Sequence, residues 1–215
     1  MIRKSILGFA FVICACNVNA APIFTNSQAV TTPTNTATFD ALITDGNDLT
    51  NYSEDGINVT TPGGNCCSVY LGSPLIPGAS GGLHYESGGN YSWVTISMQS
   101  GAVINALDFL IGDGWLSTNP GVTNLIWETF VGTTSTGLGS AVVAEGSTVG
   151  WTDTSGFTSI HVAAVSTNGL SFGAQQAIAL DNLRVGASGS VPEPATIALM
   201  GLGLAGIGWK RRKAA

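Results

Sequence analysis

The groups in this 215-residue chain with chemistry to offer are two histidines, a scatter of carboxylates, one serine among glycines and a pair of adjacent cysteines. His84 and Glu86 in LHYES form an H-x-E pair that a strand places on one face, where two metal ligands without a third are an incomplete centre. The other histidine, His161, comes 77 residues later in SIHVAAV, where alternation sets it opposite Ile160 and Val162 and predicts a solvent-facing strand position. Asp108, Asp113, Glu128 and Asp153 are acids from which a glycoside-cleaving pair could be drawn. Such pairs are assembled by the fold at separations of about 5 to 10 Å, and no spacing singles out two of these. Ser80 in GASGG fits G-x-S-x-G, but a nucleophile elbow needs strand, sharp turn and helix, whereas Pro74 and Pro77 precede this serine and glycine follows it. No catalytic residue is assigned, and the chain reads as a non-enzyme.

Cys66 and Cys67 lie side by side in TPGGNCCSVY. Consecutive trans Cα atoms stand only about 3.8 Å apart, closer than ordinary disulfide geometry. A strained vicinal ring, pairing with another chain and a buried reduced pair all stay open. Without a second pair or a nearby histidine the dipeptide is no metal signature. Aromatic faces stack on sugar rings, which makes Trp115 in IGDGWLSTNPG the first candidate for glycan contact, with Tyr91 and Trp93 next. Core packing is the competing account of the four tryptophans in the middle of the chain, above all for Trp127 in NLIWETF.

Charge excludes one class of partner. Six of the seven cations lie at the two ends, and residues 22 to 190 hold one cation, Arg184, against twelve acids, a net charge of −11. That field repels phosphate backbones, so nucleic acid is excluded. It attracts divalent cations, although acids on an exported protein also serve solubility.

The elements that must position these groups are strands. TATFDALI, GINVT, YSWVTISM, AVINALDFLI, NLIWETFV, SAVVAEG, STVGWTD, SIHVAAV and AIALDNLRV are alternating or apolar runs separated by turn residues at intervals of about ten. In YSWVTISM, Tyr91, Trp93, Thr95 and Ser97 share one face and Val94, Ile96 and Met98 the other. The pattern predicts an all-β fold, an antiparallel, jelly-roll-like β-sandwich of eight to ten strands over residues 21 to 185. It is flanked by an N-terminal signal helix and a single C-terminal transmembrane helix, with GASGS (186 to 190) as a flexible linker. Threonine is plentiful but has no fixed period, which argues against a flat ice-binding face. AIALDNLRV resembles the closing strand of jelly-roll carbohydrate-binding modules. The resemblance implies a structural calcium held by Asp181 with Asp40 or Asp45 and backbone carbonyls; no other cofactor is expected.

The termini are more specific. MIRKSILGFAFVICACNVNA has basic residues, a short apolar stretch and small residues before a predicted signal peptidase cut between Ala20 and Ala21. ICAC, ending at Cys16, is a loose lipoprotein box and offers a lipidated Cys16 as the alternative start. At the other end, Val191, Pro192, Glu193 and Pro194 are stiff and extended. The uncharged run from Ala195 to Trp209 follows, about 22 Å long as a helix and short for a bilayer, and then Lys210, Arg211, Arg212 and Lys213. GLGLAG within that run matches G-x-G-x-x-G, yet it lacks the strand, turn and downstream acid of a dinucleotide site. The order Pro-Glu-Pro, apolar helix, basic cluster resembles the PEP-CTERM sorting signal of exported bacterial proteins, a tail that is also labelled ice-binding protein C-terminal domain. The resemblance implies exosortase as a partner, transient residence in the inner membrane and delivery to the envelope, surface or matrix of a Gram-negative bacterium. It further implies association with extracellular polysaccharide and biofilm. Replacing Pro192, Glu193 and Pro194 together by alanine is expected to leave export intact and stop tail removal. An immunoblot of fractionated cells would then show the tail-bearing chain in the inner membrane, and unaltered processing would remove the motif's assigned role.

Overall fold

The computed structural model describes residues 21–40, 51–61, 67–71, 76, 79, 83–87, 93–112, 122–165, 175–176 and 178–188. All the regular structure among these residues is β. The first seven-stranded sheet runs β1 (Ile23–Thr25), β11 (Thr148–Phe157), β8 (Ile104–Gly112), β14 (Ala179–Ser188), β6 (Leu83–Ser87) and β5 (Cys67–Leu71), with β2 (Val30–Ala37) also paired to β14. The second runs β10 (Thr134–Ala144), β9 (Val122–Val131), β12 (Ser159–Val165), β7 (Val94–Met98), β4 (Ile57–Thr60) and β3 (Asn51–Glu54), with β13 (Gln175–Gln176) on β12. Every pairing is antiparallel. The expected signal and membrane helices lie outside the described residues.

Alternation decides which side chains meet between the sheets. Leu107, Phe109 and Ile111 of β8 and Val149 and Trp151 of β11 face Val94 and Ile96 of β7, Leu125 and Trp127 of β9 and Ile160 and Val162 of β12 in one buried cluster. Phe24 of β1 crosses the gap to stack on Trp127, ring centres 4.5 Å apart, and Trp127 meets Trp151 edge-on at 5.7 Å. Close approach here demands glycine: a Cβ on Gly139 of β10 would lie 2.3 Å from the Trp127 ring. The Trp151 indole N–H is buried without a partner among the described residues. That costs about 1–3 kcal/mol, whereas burying an aromatic side chain of about 150–250 Å² is worth roughly 4–6 kcal/mol, so packing wins.

The strand count exceeds the expected eight to ten because several strands are short. β3 and β4 are joined by Asp55-Gly56, whose φ values of 46° and 75° suit the two-residue turn that the right-handed twist of a hairpin favours. The expected linker 186 to 190 is corrected at its start, since Gly186, Ala187 and Ser188 are strand, paired with Pro33, Thr32 and Val30. A Cβ on Gly186 would sit 2.2 Å from the Thr32 carbonyl, so this glycine serves close strand approach and not chain flexibility.

One buried carboxylate fixes the path of the chain. β1 lies outside β11 while β2 lies beyond β14, so the segment between them must cross the outer face of the first sheet. Asp108 alternates with core-facing Leu107 and Phe109 and points to that outer face, where its Oδ2 accepts the backbone N–H groups of Ala29 (2.8 Å) and Val30 (2.7 Å). Its Oδ1 accepts from Arg184 Nε at 2.7 Å, the residue beside it in register on β14. Gly150, beside Asp108 on β11, makes room, because a Cβ there would meet that of Ala29 at 2.5 Å. Asp108→Ala leaves two buried amides and a cation without their acceptor and is expected to cost about 3–5 kcal/mol. Arg184→Met leaves the carboxylate its two amide donors and should cost less, about 1–3 kcal/mol. Urea unfolding of the exported protein reads both, and an equal or smaller loss for Asp108→Ala would refute the ranking.

Candidate functional site

The two outer faces of the sandwich differ. On the first sheet the crossing segment occupies the outer face around Asp108. On the second, alternation turns Trp93, Thr95 and Ser97 outward from β7 and the residue before it, His161 and Ser159 from β12, and Glu128 and Phe130 from β9. His161 is the centre of this face. The register sets it between Thr95 on one side and Glu128 on the other. Its ring stacks on Trp93 (centres 5.5 Å apart, planes 25° apart) and lies against Phe130 (4.5 Å, 47°). Three rings thus run side by side across adjacent strands, each half-buried.

His161 faces outward as alternation requires, but it is packed and not free in solvent as the sequence predicted: its flanking aromatics shield both sides. Burial pushes its pKa below the usual histidine value of 6.5, and the Glu128 carboxylate pulls in the opposite direction more weakly. The ring is therefore neutral at neutral pH, with one nitrogen a donor and the other an acceptor. Around the aromatic row the same face carries Asn58, Thr60, Asn124 and Ser140, at positions in register with Ser97, Thr95, Val142 and Ile126. On the same face Ile126, Ala163 and Val165 are buried with Trp93 packed against them, which holds the indole in place. Flat apolar rings bordered by hydroxyl and amide groups match a sugar, whose ring faces are apolar and whose rim hydrogen-bonds.

Of the glycan candidates, the structure thus places Trp93 on an outer face. Trp127 and Trp151 are core, and Trp115 and Tyr91 lie outside the described residues. Phe130 and His161, which complete the row, are not among the glycan contacts that the sequence predicts. The runs NLIWETFV and SIHVAAV put them on strand faces, but their meeting depends on a cross-strand register that no local pattern encodes. Among the acids, Asp108 is the clamp, and Glu128 stands on the opposite outer face of the sandwich, so these two cannot flank one bond. Asp153 is buried and accepts the Ser155 N–H at 2.8 Å; Asp113 lies outside the described residues. His84 and Glu86 are in β6 and Cys67 opens β5. Ser80, Cys66, Ala20, the residues from Val191 to Pro194 and those from Lys210 to Lys213 lie outside the described residues. Ala21 is exposed, and its Cβ lies 3.3 Å from where one on Gly137 of β10 would be.

The expected calcium ligands are only partly described. Leu183 of β14 pairs with Ala37 of β2, so Asp181 and Asp40 lie beyond that pair at the same end of the two strands. Asp181 is buried in a bulge, its oxygens accepting the backbone N–H (2.7 Å) and side-chain Nδ2 (3.2 Å) of Asn182, whose φ is 51°. Asp40 is exposed, and Asp45 lies outside the described residues. Among the described residues no three His, Cys, Asp or Glu side chains converge as metal ligands do; the expected calcium shell of two carboxylates and backbone carbonyls includes Asp45, outside those residues.

Comparison with known proteins gives three findings. No curated protein matches the chain. Among solved structures, the CBM22-2 xylan-binding domain from Paenibacillus barcinonensis Xyn10C is similar over 71% of this chain and 98% of that one, with 11% identity and a TM-score of 0.42. Residues 190–213 match the PEP-CTERM protein-sorting motif. Pro192, Glu193 and Pro194, the apolar run and the basic cluster all fall inside that match. The chain therefore carries a PEP-CTERM protein-sorting motif, the mark of an exported bacterial protein that exosortase processes and that resides at the envelope or surface.

Proposed function

We propose that this surface protein associates with the extracellular polysaccharide of a Gram-negative biofilm matrix by laying a glycan across the outer face of its second sheet. The observation that carries the reading is the row Trp93, His161 and Phe130, three rings in contact on one exposed sheet face. Trp93 and Phe130 offer stacking surfaces, and neutral His161 offers a donor and an acceptor between them. Glu128 takes hydroxyl hydrogens from the rim. The scarcity of charge on this face favours a neutral polymer over a sulfated or uronate-rich one, since one carboxylate and no cation lie in the row. Without the glycan contact, the same export signal fits a purely structural matrix protein, and a glycan-active enzyme would need two carboxylates about 5 to 10 Å apart in a cleft.

Co-sedimentation of the exported protein with the producing cell's purified polysaccharide tests this. Trp93→Ala removes about 0.5–1.5 kcal/mol of stacking and should weaken retention between about twofold and tenfold, with its melting temperature close to that of the parent. Retention unchanged in Trp93→Ala, or absent in the parent, would leave the structural matrix role as the better account. A second expectation concerns acidity. Because the folded pKa of His161 is depressed, the unfolded chain takes up its proton first as pH falls through about 6.5. The imidazole's contribution is full above that value and is lost as pH drops toward the lower folded pKa. Thermal melts from about pH 8 to about pH 5 should show a fall in stability that His161→Gln lessens. An identical pH profile in the variant would mean that His161 is not held neutral by its packing.

A further inference from the structure

The side of the sandwich where β1 and β10 end the two sheets differs from the rest of the described surface. Among the described residues β10 pairs with β9 on one side only and terminates its sheet over eleven residues. Natural edge strands are usually blunted by charge, proline or shortness. This one, TSTGLGSAVVA, has no charged residue and no proline, and its single irregularity lies near one end, between Ser135 and Gly137. Leu138 and Val142 project from it 71% and 68% exposed. Of the five large hydrophobic side chains exposed among the described residues, four belong to this side: Ile23 on β1, Val131 at the β9–β10 hairpin, Leu138 and Val142.

We infer that β10 is a self-association edge, pairing antiparallel with β10 of a second copy of this chain to join two second sheets into one continuous sheet. Three features select a second copy over a foreign partner. First, the outward residues are symmetric about Ser140: an antiparallel pair centred there sets Leu138 against the other copy's Val142 and Val142 against its Leu138, with serine facing serine. Second, the inward positions Gly137 and Gly139 are already covered by Pro22 and the Trp127 ring, so a second strand meets a closed core at the join and opens no cavity. Third, a region with net charge −11 repels its own copies wherever acids face each other, and β10 is an uncharged strand on which they can meet. A basic partner, by contrast, would be steered to the acids and away from this strand. The join lies at the border of the face that carries the aromatic row, since Leu138 is in register with Glu128, but the pairing is between main chains and is read without any glycan present, so its failure and the failure of the glycan reading are distinguishable.

Directly opposed residues of an antiparallel pair have Cα atoms about 4.5–5.5 Å apart, within reach of a disulfide. Ser140→Cys in the full exported chain, which keeps Cys66 and Cys67, is therefore expected to run mainly at twice the monomer mass on a non-reducing gel of the surface fraction. A cysteine at exposed Ser100 on the β7–β8 connection should match the unsubstituted chain. Adding Val142→Lys to Ser140→Cys puts two like charges at the join and should abolish the cross-link. Cross-linking of Ser140→Cys no greater than that of Ser100→Cys, a band at the mass of a different protein, or a dimer that survives Val142→Lys would each overturn the inference.

Discussion

The buried carboxylate of Asp108 is the constraint on which the rest of the domain depends. It is not paired chiefly with a cation; two of its three described partners are the backbone amides of Ala29 and Val30. The same solution recurs. Glu54 accepts the N–H of Phe39, a residue held at a φ of 62°, together with the Tyr52 hydroxyl, and Asp55 accepts the N–H of Thr36. Burial first, and then the bond to Glu54 and the charges of Glu54 and Asp40, hold the Tyr52 phenol protonated well above the ordinary range. β2 is thereby fastened at its start to the first sheet and near its end to the hairpin of the second. A domain with a single cation has no stock of ion pairs to draw on, and Asp108, Glu54 and Asp55 each accept at least one main-chain donor instead. Such bonds are charge-assisted and stronger than neutral ones, and they order the chain itself rather than two flexible side chains.

That arrangement divides the labour of the two sheets. The outer face of the first is crossed by the chain's own N-terminal segment, so its polar groups are spent on holding the fold. The outer face of the second keeps its aromatic row and its hydroxyl and amide neighbours in reach of solvent. Adhesion to a polymer needs a flat and rigid surface of this kind, because each ring ordered before contact is entropy that binding does not have to supply. The buried group of Ile126, Ala163 and Val165 gives Trp93 that rigidity.

How much of this was legible depends on the range of the interaction concerned. YSWVTISM showed its faces plainly, because period-two alternation is local, and Val94 and Ile96 are fully buried. The tail was legible for the same reason, since its three parts are contiguous. Asp55-Gly56 is a strong local hairpin signal between NYSE and GINVT, but the polar NYSE shows no strand alternation of its own. β1 has only three residues and no pattern to show, and its Phe24 matters through a tryptophan more than a hundred positions away. Gly186 was read as linker since close backbone approach and flexibility use the same residue. Asp108 and His161 were noticed for their chemistry, but what each does is set by partners on other strands, and register between distant segments leaves no mark in either one alone.

The position of β14 has a mechanical consequence. Its last residue, Ser188, lies two positions before the start of the sorting match, and the strand itself runs between β8 on one side and β6 and then β2 on the other. Any pull transmitted through the tail, by a retaining membrane or by flow over a colony, enters the domain along an interior strand. An edge strand under such a load peels away one bond at a time. β14 bears it as shear across two antiparallel ladders at once, with the Arg184–Asp108 bond set across the direction of slip, so the end by which the protein is handled is held inside a sheet and not at its margin.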